Sequence, residues 1–399
     1  MKRYDYVVVG AGIIGLTIAR ELKSRWKECS VCMIEKEPDV AYHSSGRNSG
    51  VLHAGFYYTA DSLKARFTRD GNRAMRDYCE KKGIQINRCG KIVVATDEEE
   101  LKGLEELKRR AERNGVELLW MEEEEVQRLD PNVRTYQKAL YSPSTASVDP
   151  IEVCQAIKAD NAGMGIDMRY STKYERFNGG VVHCDSGPIG CRYLINAAGL
   201  YADRIAHGLG FGKKYTIIPF KGIYLKYAKN KTDVVTNIYP VPNLANPFLG
   251  VHFTKTVDGS IKIGPTAIPS FWRENYKGLE NFRLDEMISI LIYEAKLFFT
   301  NSFNFRKLAF EEMRKYDKSR LIQASLKMVK NVDAQGFGNF MRPGIRAQLL
   351  NRETLELVQD FVIEGDNRSL HVLNAVSPAF TCAFPFARHV VDQMETLNN

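Results

Sequence analysis

The chain lacks any run of about 18 uncharged apolar residues, so it offers no candidate for a helix that crosses a bilayer. It has no internal repeat and no low-complexity linker, which excludes solenoids and long flexible tethers. Histidine is scarce, at 7 residues, and none clusters with cysteine at metal-ligand spacing, so no metal site is expected. The 8 cysteines are dispersed, which argues against a disulfide framework. Cys29 and Cys32 form a CxxC, but they straddle the start of an expected strand, whereas redox pairs of this spacing open helices. The N-terminus, Met1-Lys2-Arg3-Tyr4-Asp5, enters a strand directly and leaves no room for a signal peptide, so a cytoplasmic protein is expected. Basic residues outnumber acidic ones, 56 to 48, yet they are scattered among the acids and no nucleic-acid module appears, so no nucleic-acid partner is expected.

What is present begins at residue 5. Asp5-Tyr6-Val7-Val8-Val9 reads as a buried strand, Gly10-Ala11-Gly12-Ile13-Ile14-Gly15 as a turn opening an amphipathic helix, and Glu35 as the end of a second strand roughly 20 residues on. Gly10 permits the tight turn, Gly12 lets backbone approach a pyrophosphate, and Gly15 lets helix and strand pack closely. The helix N-terminus, at Ile13 and Ile14, presents amides to phosphate, and Glu35, followed by Lys36, is placed to accept hydrogen bonds from a ribose. The plain alternative is a glycine turn in an ordinary βαβ unit. The fingerprint reads the ADP half that FAD and NAD share, so it leaves those two open.

The next segment, His43-Ser44-Ser45-Gly46-Arg47-Asn48-Ser49-Gly50-Val51-Leu52-His53-Ala54-Gly55-Phe56-Tyr57-Tyr58, is rich in Ser, Gly and Asn and has no apolar period. Such a loop suits close backbone approach to a bulky polar ligand, with Ser44, Ser45, Asn48, Ser49, Gly50 and Val51 along it. It resembles the flavin loop of the D-amino-acid-oxidase class, which makes FAD the favoured ligand.

Farther along, Asp97–Asn114 is expected to be a charged helix, and Glu122 to Glu125 to open a short one as structural N-terminal acids rather than acid–base catalysts. Asp149-Pro150 begins another helix, Asn178-Gly179-Gly180 turns a hairpin, and Tyr193 to Gly199 repeats the buried strand entering a tight turn. Residues 284–305 read as a hydrophobic helix with a Phe-laden end, either core or a docking face for a membrane or another subunit.

Several motifs then converge: Cys89-Gly90-Lys91, Ala198-Gly199-Leu200-Tyr201-Ala202-Asp203-Arg204-Ile205, Ile218-Pro219-Phe220-Lys221-Gly222, Asn237-Ile238-Tyr239-Pro240-Val241-Pro242, Pro247-Phe248-Leu249-Gly250-Val251-His252-Phe253-Thr254, Gly344-Ile345-Arg346-Ala347-Gln348 and Ser377-Pro378-Ala379. Over nearly the whole chain these resemble L-2-hydroxyglutarate dehydrogenases. The resemblance implies an α/β chain, α+β overall: a Rossmann-like FAD-binding domain interleaved with a β-sheet-rich substrate domain, of the D-amino-acid-oxidase or glutathione-reductase-2 type. Residues 1–82, 146–215 and 335–399 are expected to hold FAD, and 83–145 and 216–334 the substrate. Beyond the first turn, Tyr174, Ala198, Gly199, Gly344, Ile345, Pro378, Ala379, Phe380 and Thr381 are the implied cofactor contacts. The implied reaction is oxidation of L-2-hydroxyglutarate to 2-oxoglutarate, with electrons passed to quinone or oxygen. Bacterial members associate with the membrane, which implies a peripheral position at the inner face of the cell membrane.

The chemistry sets its own requirements. Oxidising a secondary alcohol on a flavin sends hydride to N5 and the hydroxyl proton to a base near neutral pKa, a task suited to histidine. His53 in the flavin loop and His252 in its apolar strand are the two candidates, unranked, and a lone strand histidine also has a structural reading. A dicarboxylate needs cations: Arg346 gives bidentate geometry, Lys221 stands where the family commonly carries arginine, and Tyr57, Tyr224 and Tyr239 offer hydroxyls. Arg47 stands where histidine is expected. Glycerol-3-phosphate dehydrogenase, an amine or amino-acid oxidase, and a non-catalytic flavoprotein subunit are the competing readings.

Overall fold

Val7, Val8 and Val9 are β-branched and buried in strand Arg3–Val9, which leads through Gly10 into helix Ile13–Arg25 and back into strand Val31–Ile34. The two strands run parallel, with Tyr6 opposite Val31 and Val9 opposite Ile34. This computed structural model describes residues 1–228, 234–242 and 248–398, so Pro247 of the Pro247–Thr254 motif lies outside the described residues.

The chain packs as two compact units, the first from Met1–Asn48, Pro150–Pro219 and Arg346–Asn399. Its sheet runs, strand by strand, Val362–Gly365, Ser369–Asn374, Gly187–Asn196, Arg3–Val9, Val31–Ile34, Asp167–Arg169, parallel along this path except at the Val362–Gly365 edge, and Val181–Cys184 adds antiparallel to Gly187–Asn196. Helices Ile13–Arg25, Pro150–Gly163 and Ala379–Asn398 pack together, and Asn161 Nδ2 donates to the Leu16 carbonyl at 3.0 Å. On the sheet's other side Val7, Val9, Cys32, Ile34 and Leu194 form one apolar cluster. Each such fully buried aliphatic side chain is worth about 1.5–3 kcal/mol. The hairpin of Tyr174–Asn178 and Val181–Cys184 turns at Gly179 and Gly180, both at positive φ, as Asn178-Gly179-Gly180 predicts.

The second unit comprises Ser49–Asp149 and Phe220–Ile345. Residues 49–82, grouped with the cofactor segments on sequence, pack here, and Val51–Leu52 pairs with Ala146–Ser147. The central sheet has eight strands, ordered Phe337–Phe340, Leu225–Tyr227, Ile261–Gly264, His252–Lys255, Asn237–Pro240, Lys91–Val94, Lys138–Ser142, Leu119–Glu122. Only Asn237–Pro240 and Lys91–Val94 pair in parallel.

The period of two decides what each face carries. Ile92, Val94, Leu225, Ile238, Phe253, Ile261 and Ile263 share one core with Leu321, Met328 and Phe337. The residues between them, Lys91, Tyr239, His252, Thr254 and Lys262, are therefore turned to the opposite face. They are all buried. Toward its Val93 end that face is closed by Ala54, Phe56, Tyr57, Leu104, Leu107 and Leu140.

The acidic helix starts where expected: Glu123–Leu129 begins after Glu122, with Glu122 and Glu125 forming a capping box. The hydrophobic helix spans Leu284–Thr300 and is broken at Asn301, before helix Phe305–Arg314. It is only half core: Glu286, Ile290, Tyr293 and Leu297 are buried, whereas Leu284, Ile288, Leu291, Ile292 and Phe299 are exposed on its other side.

Candidate active site

In the first unit the glycine turn is built from backbone. Gly10 has φ +102°, its N–H donates to the Ile34 carbonyl at 2.9 Å, and a Cβ on it would lie 2.6 Å from the Ala197 carbonyl oxygen. The Ala198-Gly199 turn thus abuts the first glycine. A Cβ on Gly15 would lie 1.9 Å from the Gly10 oxygen, and one on Gly12 would press on Ser45 Oγ at 3.0 Å. Helix Ile13–Arg25 begins at Gly12, with no side-chain cap from that position. Ser45 Oγ accepts the Ile13 N–H at 2.9 Å from outside the helix. Glu35 accepts the Ala11 N–H at 2.7 Å on one carboxylate oxygen and the Glu37 N–H at 3.0 Å on the other, which ties the acid to the turn. Asn48 braces the Ser-rich loop by donating to the Ser44 and Ser45 carbonyls.

These features fit a dinucleotide: bare glycine backbone, a helix N-terminus whose N-cap position carries no side chain, and an acid held beside them. Lys36 pairs with Glu37 and lies 5.9 Å from the Tyr201 ring centroid. Tyr174 packs against the first unit's apolar cluster from the hairpin. Pro378 precedes helix Ala379–Asn398, whose first turn carries Ala379, Phe380 and Thr381. Arg346 opens the last segment of this unit, half-buried in strand Gly344–Asn351. Gly344 and Ile345 end the second unit, and Ser49, Gly50 and Val51 begin it.

In the second unit the polar sheet face collects groups far apart in the chain. Lys91 has no exposed surface, its Nζ is 3.4 Å from His53 Nδ1, and it lies 4.1, 5.1 and 5.5 Å from the ring centroids of Tyr239, Tyr57 and Phe56. Burial pushes this ammonium down to about 7. His252 stacks on Tyr239 with centroids 3.7 Å apart, as expected of residues brought side by side by the Ile238–Phe253 pairing. Its Nδ1 is 2.8 Å from the Gly250 carbonyl. A carbonyl only accepts, so Nδ1 carries the hydrogen and the neutral ring keeps its lone pair on Nε2. Lys262 lies 5.0 Å from the Tyr224 centroid, and burial lowers it to about 8. Lys221, buried, donates to Asn275 Oδ1 at 3.2 Å, and burial lowers its pKa as well. Tyr57 Oη is buried with no hydrogen-bond partner among the described residues.

His53, Tyr57, Tyr224, Tyr239 and His252 thus belong to one buried neighbourhood with Lys91 and Lys262. Neither lysine is among the expected site residues. The available signal is a lysine inside an otherwise apolar strand, Gly90-Lys91-Ile92-Val93-Val94 and Ile261-Lys262-Ile263, where alternation alone sends the cation to a buried face. Cys32 is a buried strand residue whose thiol is pushed up to about 12 by burial, consistent with the structural reading of the CxxC.

Comparison with known proteins gives the family. Residues 5–393 match the family described as FAD dependent oxidoreductase. The chain is 34% identical to the L-2-hydroxyglutarate dehydrogenase of Escherichia coli (strain K12), covering 99% of this chain and 94% of that protein. It is 36% identical to the mitochondrial L-2-hydroxyglutarate dehydrogenase of Homo sapiens, covering 98% and 89%. Among solved structures it shares its fold with an FAD-bound L-alpha-glycerophosphate oxidase from Mycoplasma pneumoniae (TM-score 0.77, 21% identity, 99% and 95% covered). A glycine oxidase from Geobacillus kaustophilus has the same fold (TM-score 0.73, 17% identity, 100% and 96% covered). With the glycine turn, the held acid and near-complete coverage at this identity, the chain belongs to the FAD-dependent oxidoreductases of the D-amino-acid-oxidase class, in the L-2-hydroxyglutarate dehydrogenase family.

Proposed function

We propose that this enzyme oxidises L-2-hydroxyglutarate to 2-oxoglutarate and passes the electrons to quinone or oxygen. The observation that carries the reading is the buried sheet face of the second unit, where two imidazoles and two lysines share one polar layer. Anionic substrates favour a face able to carry positive charge, and an alcohol proton needs a base titrating near neutrality. When bound, FAD supplies the two-electron acceptor for the substrate hydride.

The chain's own groups do the rest. His53 takes the hydroxyl proton as the carbon gives up hydride. Lys221 and Arg346 hold the carboxylates, and Tyr57, whose buried hydroxyl has no partner among the described residues, donates to the substrate. An unmatched hydroxyl costs about 1–3 kcal/mol, a cost that a ligand oxygen would relieve. His252 is the alternative acceptor: its Nδ1 hydrogen is committed to Gly250, which favours a basic Nε2.

Anaerobic mixing with substrates tests the assignment. The flavin colour should bleach with L-2-hydroxyglutarate and persist with the D-enantiomer. Bleaching by glycerol 3-phosphate or an amino acid instead would overturn it in favour of those rivals.

A peripheral membrane position is supported by the exposed apolar side of helix Leu284–Thr300, where Leu284, Ile288, Leu291, Ile292 and Phe299 stand on one face. No described helix is long and apolar enough to cross a membrane. Flotation with liposomes should carry the wild type upward and lose the Ile288→Glu/Phe299→Glu variant. Equal flotation of both would remove this face as the anchor.

A further inference from the structure

Lys91 is the most heavily enclosed lysine of the polar face, and its surroundings are unusual for a cation. His53 approaches from the loop, Tyr57 and Phe56 from the same loop, Tyr239 from the neighbouring strand, and Cys89 stands two residues back. His252 lies against Tyr239. Burial raises the phenols of Tyr57 and Tyr239 well above their usual range, and raises the Cys89 thiol, so all three stay neutral near pH 7. No carboxylate pairs with Lys91 among the described residues. A merely structural buried lysine is ordinarily paired with an acid or sends its ammonium out to water. Here the ammonium nitrogen lies 3.4 Å from a ring nitrogen.

That contact constrains the imidazole. An ammonium can only donate, which would leave His53 Nδ1 bare and put the ring hydrogen on Nε2, making the ring a donor toward its other side. A neutral amine can accept from Nδ1–H, which leaves Nε2 with a lone pair. We infer that Lys91 is a positioning residue for His53: its Nζ decides which imidazole nitrogen carries the hydrogen, and it takes over the proton that the ring receives from the substrate hydroxyl. The inference rests on the reading of His53 as the proton acceptor.

The step balances. The substrate O–H bond breaks and its proton joins Nε2, the C–H bond breaks with its hydrogen and electron pair leaving as the hydride for which FAD, when bound, would be the acceptor, and the carbonyl forms. The Nδ1 proton then moves to the Lys91 amine, which becomes an ammonium against the faces of Tyr239 and Tyr57, where ring quadrupoles stabilise it. A lysine brought near neutrality takes a proton from an imidazolium with little loss of driving force. Burial without a counter-ion is what brings the lysine into that range.

The test is a double-mutant cycle on the FAD-loaded enzyme, read by anaerobic stopped-flow reduction with L-2-hydroxyglutarate across pH. K91M should lower the limiting reduction rate about 10- to 100-fold, with under about 3-fold change in half-saturating substrate. The rise of the rate with pH near 7 should move by at least about half a unit. In the H53N background, K91M should cost almost nothing more, because both residues act on the same proton. K91R should fail to rescue despite its charge, since guanidinium does not accept a proton.

An unchanged rate and pH profile in K91M, with H53N slow, overturns the inference and leaves the base assignment standing. An unchanged rate in H53N overturns the base assignment itself. Fully additive losses, or recovery by K91R, would make Lys91 an independent charge and overturn the coupling. Should K91M fail to retain flavin, K91A supplemented with ethylamine replaces it: restored reduction supports the relay, and no restoration in flavin-loaded K91A counts against it.

Discussion

The glycine turn of the first unit and the polar sheet face of the second are made of different material. At Gly10, Gly12 and Gly15 the working surface is backbone, and its requirement is the absence of side chains: a Cβ on Gly10 or Gly15 would drive into a carbonyl 2.6 or 1.9 Å away, and one on Gly12 would press on Ser45 Oγ at 3.0 Å. At Lys91, Tyr239 and His252 the working surface is side chains, and its requirement is register, since a slip by one residue would swap them with Ile92, Ile238 and Phe253 of the apolar core. A ligand shared across many enzymes is met by backbone, which changes little among homologous folds. Chemistry particular to one substrate falls to side chains on a sheet that can be redecorated without altering the fold.

The sharpest way to break that contrast is at the turn. Gly15→Val should abolish flavin retention, leaving under about a tenth of the wild-type visible absorbance per protein, because the Gly10 carbonyl cannot move without opening the βαβ unit. A fully yellow G15V protein would show that the turn tolerates side chains after all.

The next effect in size separates the histidines. His53→Asn should keep the flavin and slow its reduction by roughly 10² to 10⁴, whereas His371→Asn, on a first-unit strand, should leave the reduction rate within about 2-fold. His371 has no exposed surface. It takes the Asn196 Nδ2 hydrogen at 3.1 Å on Nδ1, faces Ser369 Oγ at 3.1 Å with Nε2, and is lowered by burial to about 4 from 6.5. The unfolded chain binds a proton between those values that the folded chain refuses. Stability from this neutral ring is therefore complete above about 6.5 and is lost as pH falls toward 4, roughly 3 kcal/mol in all. Thermal melts across that window should show the loss in the wild type and a flatter profile in H371N. Parallel profiles would assign acid sensitivity elsewhere.

The smallest expected change is at Lys221. Its replacement by Met should raise half-saturating L-2-hydroxyglutarate about 10-fold while the limiting rate stays within about 2-fold, the pattern of lost uniform binding. A fallen limiting rate with unchanged half-saturation would move Lys221 from binding to the reacting centre.

The sequence by itself determined the local devices. The strand, turn, helix and acid of residues 5–35 lie within a few tens of residues, and each carries a residue type dictated by its own backbone, so the dinucleotide turn and the cap at Glu122 to Glu125 were legible without any distant partner. His252 was legible only as a histidine in an apolar strand, and Lys91 as a lysine at the start of one. Tertiary structure decided that they share a face with Tyr239 and that His53 closes over Lys91. That decision comes from pairing Lys91–Val94 with Asn237–Pro240 and the latter with His252–Lys255, strands more than a hundred residues apart or reversed in direction. The same limit applied to helix Leu284–Thr300, whose apolar composition fits both a core and a docking face and whose packing buries one side and leaves the other exposed. Composition states which residues seek burial, and only the register and packing of distant strands state what each is buried against.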